Sequence, residues 1–238
     1  MGKATREAYG NALARIGKEN TNIIVLDADL SKSTKTDTFK AVCPERFFNV
    51  GIAEQNLISV GAGLAAAGKI PFVSSFSMFA TGRAFEQIRN AVCYPKLNVK
   101  VCATHAGITV GEDGATHQSL EDISCMRTLP NMTVVVPADE RETEAVIEWA
   151  ASYNGPVYVR LGRAGVDDVT TEGYSFVPGK STILVDGSDA TIIACGALVG
   201  PAVEASKTLS ESNISARVIN MASIKPIDAE AIIKAAAG

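Results

Sequence analysis

Short runs of apolar, often β-branched residues recur along this chain, each followed by a segment of helical periodicity, and this alternation limits the possible folds more than any other feature. Residues 4–18 carry Ala8, Ala12, Leu13 and Ile16 at helical spacing, and the run IIVL before Asp27 reads as a strand. The polar stretch SKSTKTDTF reads as a loop. Beyond it come a strand in RFFNVG, a helix through EQNLISVGAGLAAAG, a strand in IPFVSSF, a helix through RAFEQIRNAVCY and a strand in NVKVCATHAG. A further strand, helix and strand follow in MTVVVPAD, ERETEAVIEWAAS and GPVYVRLGR. Because the strands are apolar at consecutive positions, both of their faces need cover. The reading is therefore an α/β fold, a parallel sheet with helices on both faces. Ligands of such sheets bind beyond the carboxyl ends of the strands. Asp27 and Asp29, the turn at Glu54, Ser74 to Phe79 and the stretch from His105 to His117 all follow strands, so they are expected along one rim.

The chain has 238 residues and is 47% apolar, enough to bury a substantial core without disulfides or metal staples. Its 26 acidic and 22 basic residues leave a net charge of -4, with no basic stripe interleaved with aromatics, which sets nucleic acid aside. No apolar run reaches the roughly 18 to 20 residues that cross a bilayer. The start MGKATREAYG lacks the apolar core of a secretion signal, so a cytoplasmic location is expected. Cys43, Cys93, Cys102, Cys125 and Cys195 form an odd set without a CxxC pair, which predicts reduced, buried thiols. Residues 1–165 are read as the first domain, 166–180 as a linker rich in turn residues, and 181–238 as a second, smaller α/β domain. A unit that thin is near the lower limit for independent folding, so it is expected either to pack on its neighbour or to be incomplete, truncated at AIIKAAAG.

Several residues could carry chemistry. Glu54 falls at the first turn of a helix, where a carboxylate gains from the helix dipole and capping is the plain reading. Its neighbours Phe47, Phe48, Val50, Ile52 and Leu57 are apolar, a setting that disfavours the charged form and suits proton exchange. The helix after it is paved with Gly61, Gly63, Ala65, Ala66, Ala67 and Gly68, which predicts close packing. Phe76 and Phe79 lie where a strand runs into a Gly-containing turn, either as core or as a platform for a flat heteroaromatic ligand. The only histidines, His105 and His117, flank an acidic Gly-rich loop with Glu112 and Asp113. Their spacing matches no zinc motif, and the loop lacks the lysine of a phosphate loop. Two imidazoles beside a carboxylate suit recognition of sugar hydroxyls and proton shuttling. Arg160 and Arg163 close a strand, as solvated surface or as an anion clamp.

Taken together, FNVGIAEQN, PFVSSFSMF and above all ATHAGITVGEDGATHQSLEDISCMRTLPNMTVVVPAD closely resemble the pyrimidine-binding half of transketolase. The tail from Ser181, with DGSDATIIACGALVGPAVEASKTLSESNISARVIN, resembles the start of the C-terminal domain of that family. The resemblance implies thiamine diphosphate chemistry: transfer of a two-carbon ketol unit from a ketose phosphate to an aldose phosphate, as in the pentose phosphate pathway. In the family, a GDG motif with a downstream Asn in the N-terminal half holds magnesium and the diphosphate, and this chain has no such pair. The implied protein is the second subunit of a split transketolase, active with an N-terminal-half partner that supplies the Mg2+ ligands, and assembled as a dimer or an α2β2 tetramer.

By residue matching, Glu54 corresponds to the glutamate bonded to the aminopyrimidine, which promotes proton loss from the cofactor, and Phe79 to the ring that stacks on it, with Phe76 beside. Asp29 and Ile52 would border the cofactor, while a third aromatic of some members falls near Gly82. Asp113 and His117 would address the upper hydroxyls of the donor, with His117 also catalytic. His105 and Arg163 would take its phosphate end, with Ser33 assisting and Arg160 as second choice. His105 favours transketolase over deoxyxylulose phosphate synthase and the oxoacid dehydrogenase beta subunits, the alternative enzymes. A non-catalytic scaffold or regulatory partner is the alternative of a different class, and the retained Glu54, Phe79 and His117 count against it.

Overall fold

In the computed structural model, which describes residues 2–237, the apolar runs become strands with two buried faces. Strand β1 (Ile23–Asp27) shows the principle, since successive side chains point to opposite sides. Ile23 and Val25 join a core with Tyr9, Leu13 and Phe39, whereas Ile24 and Leu26 turn to a second core with Leu57, Ile58 and Met126. Five more strands run parallel to it: β2 (Phe47–Asn49), β3 (Ile70–Phe76), β4 (Lys100–Thr104), β5 (Thr133–Val135) and β6 (Val157–Arg160). Helices α1 (Thr5–Glu19), α2 (Ser31–Thr34) and α3 (Asp37–Val42) precede β2, and α4 (Glu54–Ala66) follows it. Then come α5 (Phe85–Gln87), α6 (Asp122–Thr128) and α7 (Glu140–Ser152). Gly61 brings α4 close to the sheet, because a Cβ there would lie 2.7 Å from Cγ1 of Val73.

A second sheet holds β7 (Thr182–Val185), β8 (Ala190–Ala194) and β9 (Ala216–Asn220) in the order β7-β9-β8, with α8 (Val199–Glu211) between β8 and β9. The chain then returns. Strand β10 (Ser223–Lys225) pairs antiparallel with β5, giving the first sheet the order β10-β5-β6-β4-β3-β1-β2, and α9 (Ala229–Ala236) closes the described residues. The region from residue 181 is thus stitched into the first sheet by a short strand that has no long apolar run to announce it.

Two local expectations are corrected. The stretch SKSTKTDTF is not a loop but contains α2 and the start of α3. The buried carboxylate of Asp27 is the cause: it accepts hydrogen bonds from the Leu30 N–H (2.6 Å) and the Thr34 and Thr36 hydroxyls (2.7 and 2.9 Å), winding the polar segment around itself. Burial pushes the Asp27 carboxyl up, and these bonds pull against that rise. The aromatic strand end at Phe76 does not enter a turn either. It runs into a helical segment with wide, π-type turns at Phe79–Arg83 and Ile88–Cys93, a geometry that recurs at functional sites because it re-aims side chains.

The linker is held by one acid. Asp139 caps α7 through the Glu142 N–H (2.9 Å) and also accepts from the N–H groups of Val169 (2.8 Å) and Thr170 (2.7 Å) and from the Thr170 hydroxyl. Its neighbour Glu142 binds Tyr174 and Asn220, joining α7 to the linker and to β9. All five cysteines are free thiols, and burial pushes Cys93 up to about 11 and Cys102 up to about 12. Among the described residues no helix is long and apolar enough to cross a membrane. Replacing the cap and anchor, Asp139→Ala, is expected to cost about 3 kcal/mol, the sum of a lost cap and unpaired buried donors. Chemical denaturation measures this, and limited proteolysis is expected to cut the released segment after residue 164.

Candidate active site

The carboxyl ends of β1 and β4 share an unusual feature. Asp29 and His105 both have positive φ, 65° and 57°, a conformation that non-glycine residues rarely adopt and that persists where surrounding structure enforces it. Asp29 is held by Asn49 at the end of β2, whose side chain bonds both the Asp29 N–H and its carboxylate at 3.1 Å. His105 is buried, its Nδ1 2.9 Å from the Thr104 hydroxyl and its ring stacked on Phe76 with centroids 3.8 Å apart. His117 meets the ring of Phe79 edge-on at 5.1 Å, and Phe76 and Phe79 lie nearly parallel at 6.1 Å. Four rings predicted from separate segments therefore form one cluster. A chain of buried hydroxyls supports it from below: Ser119 to Ser77 (2.7 Å), Ser77 to Tyr158 (2.9 Å) and Tyr158 to Asp122 (2.7 Å).

Glu54 opens α4 and is 1% exposed, yet its carboxylate caps nothing. It accepts instead from Nη1 of Arg83 at 2.8 Å, and the guanidinium carbon of Arg83 stands 4.9 Å from the Phe79 ring centroid. The apolar setting expected from its neighbours is only partly present. Leu57 and Phe47 are buried, but Phe48 is 47% and Ile52 77% exposed, because Phe48 sits on the edge strand β2 and Ile52 in the turn after it.

A basic group gathers at the other end of the cluster. Arg6, in the first turn of α1, donates to the carbonyl of Ser33 at 2.9 Å, and its Nε is buried without a partner among the described residues. Burial and the charges of Arg6 and Arg163 push His105 down to about 4, while Asp113 acts in the opposite sense. Arg163 holds the acidic loop through the carbonyl of Val110 and the carboxylate of Glu112 (3.0 Å). It can do so because residue 111 is glycine, where a Cβ would lie 2.5 Å from Nη1 of Arg163. Arg6 was not singled out in the sequence: an arginine at a helix start looks like solvated surface, and its partners lie far along the chain. Arg160, the second choice for an anion clamp, is instead paired with buried Asp122 at 2.7 Å. It lines a cavity of about 530 Å³ at the seam with the second sheet, together with Gly107, Leu120 and Leu198 and away from the aromatic cluster.

A doubly covered parallel sheet with an aromatic and basic rim at its strand ends defines a ligand-binding α/β protein. Residues 1–167 match the transketolase pyrimidine binding domain, and residues 179–238 match the transketolase C-terminal domain. A protein of Methanocaldococcus jannaschii assigned as a transketolase C-terminal section is 56% identical over 98% of this chain and 74% of its own length. One of the subunits of the apulose-4-phosphate transketolase of Phocaeicola vulgatus is 41% identical over 98% of this chain and 75% of its own. A solved split-gene transketolase, an inactive β4 tetramer, superposes with a TM-score of 0.92 at 57% identity, covering 99% of this chain and 77% of that one. The chain belongs to the transketolase family, as its C-terminal section.

The depressed proton affinity of His105 has a checkable sign. Between about 4 and 6.5 the folded ring is neutral and the unfolded one protonated, so its contribution to stability is complete above that window and is lost as pH falls through it. Imidazole NMR signals of His105 are expected to stay unchanged from pH 8 to roughly 5.5; a midpoint near the ordinary histidine value would contradict the buried setting.

Proposed function

We propose that this chain, joined to an N-terminal-half subunit, transfers a two-carbon ketol unit from a ketose phosphate to an aldose phosphate with thiamine diphosphate as cofactor. The observation that carries this reading is the juxtaposition of the buried Glu54 carboxylate and the ring of Phe79, bridged by one planar, N–H-bearing guanidinium. A site that seats that group between a carboxylate and an aromatic face has the acceptor and stacking chemistry for an aminopyrimidine. When bound, thiamine diphosphate supplies the electron sink for cleavage of the ketose C2–C3 bond.

The residues of the chain then divide the work. Glu54 presents its carboxylate to the pyrimidine edge for proton exchange, and burial keeps water from competing for that contact. Phe79, backed by Phe76, orients the ring, with Asp29 and Ile52 at its border. His117 and Asp113 position sugar hydroxyls. His105 stays neutral at physiological pH and acts through hydrogen bonds, leaving the phosphate charge to Arg163 and Arg6 with Ser33 beside them. Glu112 is 85% exposed, so its pairing with Arg163 is weak and a phosphate can replace it. Arg160 is left out of this set because Asp122 already holds it.

Among the described residues no group of three or more His, Cys, Asp or Glu side chains is arranged to hold a metal, and we assign Mg2+ to the partner subunit. The need for that partner is supported by exposed Ile52 and Phe48 at the cofactor end and by the relative that forms an inactive β4 tetramer. In the same reading, residues 1–165 are the pyrimidine-binding domain, 166–180 the linker and 181–238 the start of the C-terminal domain. The assembled complex is an αβ or α2β2 species. The free thiols fit a reducing cytoplasm and a role in pentose phosphate interconversion.

The test is co-purification with an N-terminal-half subunit and an assay with xylulose 5-phosphate and ribose 5-phosphate. Pyruvate consumption in its place would select a deoxyxylulose phosphate synthase or oxoacid dehydrogenase type. Glu54→Gln is expected to keep the complex intact and to lower turnover at least about 100-fold, the typical worth of positioned proton transfer; unaltered turnover removes Glu54 from this role. Arg163→Ala is expected to raise KM for phosphorylated donors about tenfold or more, the loss of a charge-assisted contact, while leaving KM for unphosphorylated ketoses unaltered.

A further inference from the structure

Arg83 touches both surfaces that the proposed site offers to a pyrimidine. Its side chain is 50% exposed, but it folds back to put Nη1 2.8 Å from Oε2 of Glu54 and its guanidinium carbon 4.9 Å from the Phe79 centroid. Glu54, 1% exposed, has no other side-chain partner among the described residues. The guanidinium is flat, delocalised and edged with N–H donors, so it satisfies a carboxylate in its plane while covering a ring with its face. A heterocycle stacked on the same ring and bonded to the same carboxylate needs the same volume.

Resting on the function proposed above, we infer that Arg83 is a built-in occupant of the pyrimidine site: in the unliganded chain it holds Glu54 and covers Phe79, and it swings into solvent when the cofactor ring enters. The surroundings permit that motion. Gly82 beside it has no side chain and is open, with only Cε of Met78 within 4 Å of where a Cβ would stand. The exchange is also coupled. An arginine released to water is well solvated, but a buried carboxylate stripped of its partner is costly, so Arg83 is seated in most unliganded molecules and is fully displaced only when a ring donor replaces it. The unpaired acid is therefore a minor state, and apparent affinity for the ring is reduced because only the fraction of molecules with Arg83 unseated can bind it.

The full chain can be titrated with thiamine, which carries the aminopyrimidine without the diphosphate, by calorimetry and by thermal shift. Arg83→Ala is expected to bind thiamine about tenfold more tightly than the native chain, the factor for an occupant seated nine-tenths of the time. Without thiamine the variant is expected to melt at a lower temperature, because Glu54 has lost its partner, and to gain a larger thermal shift on adding it. Arg83→Met, which keeps the aliphatic stem, is expected to show the same gain and serves if the alanine variant folds poorly. Unchanged or weaker binding by both variants, with Phe79→Ala abolishing binding to the native chain, overturns the occupant and leaves the site standing. Thiamine binding to none of the proteins, or equally well to Phe79→Ala, overturns the site itself and the occupant with it.

Discussion

Beyond the ends of strands that are buried on both faces is the one place where this chain can keep polar groups in working order. Within β1, β3 and β4 the apolar side chains up to Leu26, Val73 and Ala103 are committed to the two cores, and only the strand ends and the residues beyond them are free to face a ligand. The order of the strands then sets the order of side chains along the rim. Reading from β6 through β4, β3 and β1 to β2, the rim presents Arg163, the two histidines, the two phenylalanines, Asp29 and finally Asn49 with Glu54 beyond. Arg6 joins the basic end because the start of α1 is tied to Gly162, just past β6, through the hydroxyl of Thr5 at 2.8 Å. The polarity of the rim, basic at one end and carboxylate at the other, follows from sheet topology.

The partners of the acids that are no more than 1% exposed show which of them is free to act. Asp27, Asp122, Asp139 and Glu142 each accept from two or more protein donors, and each of those donors fixes a segment: α2, Tyr158 and Arg160, the linker, and β9 with Tyr174. Removing one partner from such an acid leaves charge uncompensated in low dielectric, which makes these groups structural. Glu54 differs. Its one side-chain partner is an arginine that is half in water, so the pairing can be exchanged without dismantling any element of the fold. Equal burial thus hides two different roles, and the count and mobility of partners separates them.

Much of the architecture was legible because strand and helix periodicity are local properties. Consecutive apolar residues at 23–26, 70–73 and 101–103 point to strands covered on both sides, and Phe76, Phe79, His105 and His117 come late enough in, or soon enough after, two of these strands to share a rim. What stayed hidden was non-local. Helix α2 depends on bonds to Asp27 that no propensity records. Strand β10 is three residues long and exists through its pairing with β5. Phe48 and Ile52 read as a dry lining for Glu54 and are exposed, since apolarity in a sequence does not say which residues fall on the edge strand of a sheet or in the turn beyond it.

The amino-acid sequence by itself determined the layered parallel sheet, the placing of the chemistry-bearing residues after strands, and the family signature in GEDGATHQ. Only the tertiary structure decided which partner each arginine meets: Arg83 with Glu54 across 29 positions, Arg6 with the Ser33 carbonyl across 27, and Arg160 with Asp122 across 38. Hydrophobic patterning is written along the chain because each residue meets solvent or core in its own element. An ion pair has no such local mark, since its geometry exists only after distant elements have packed.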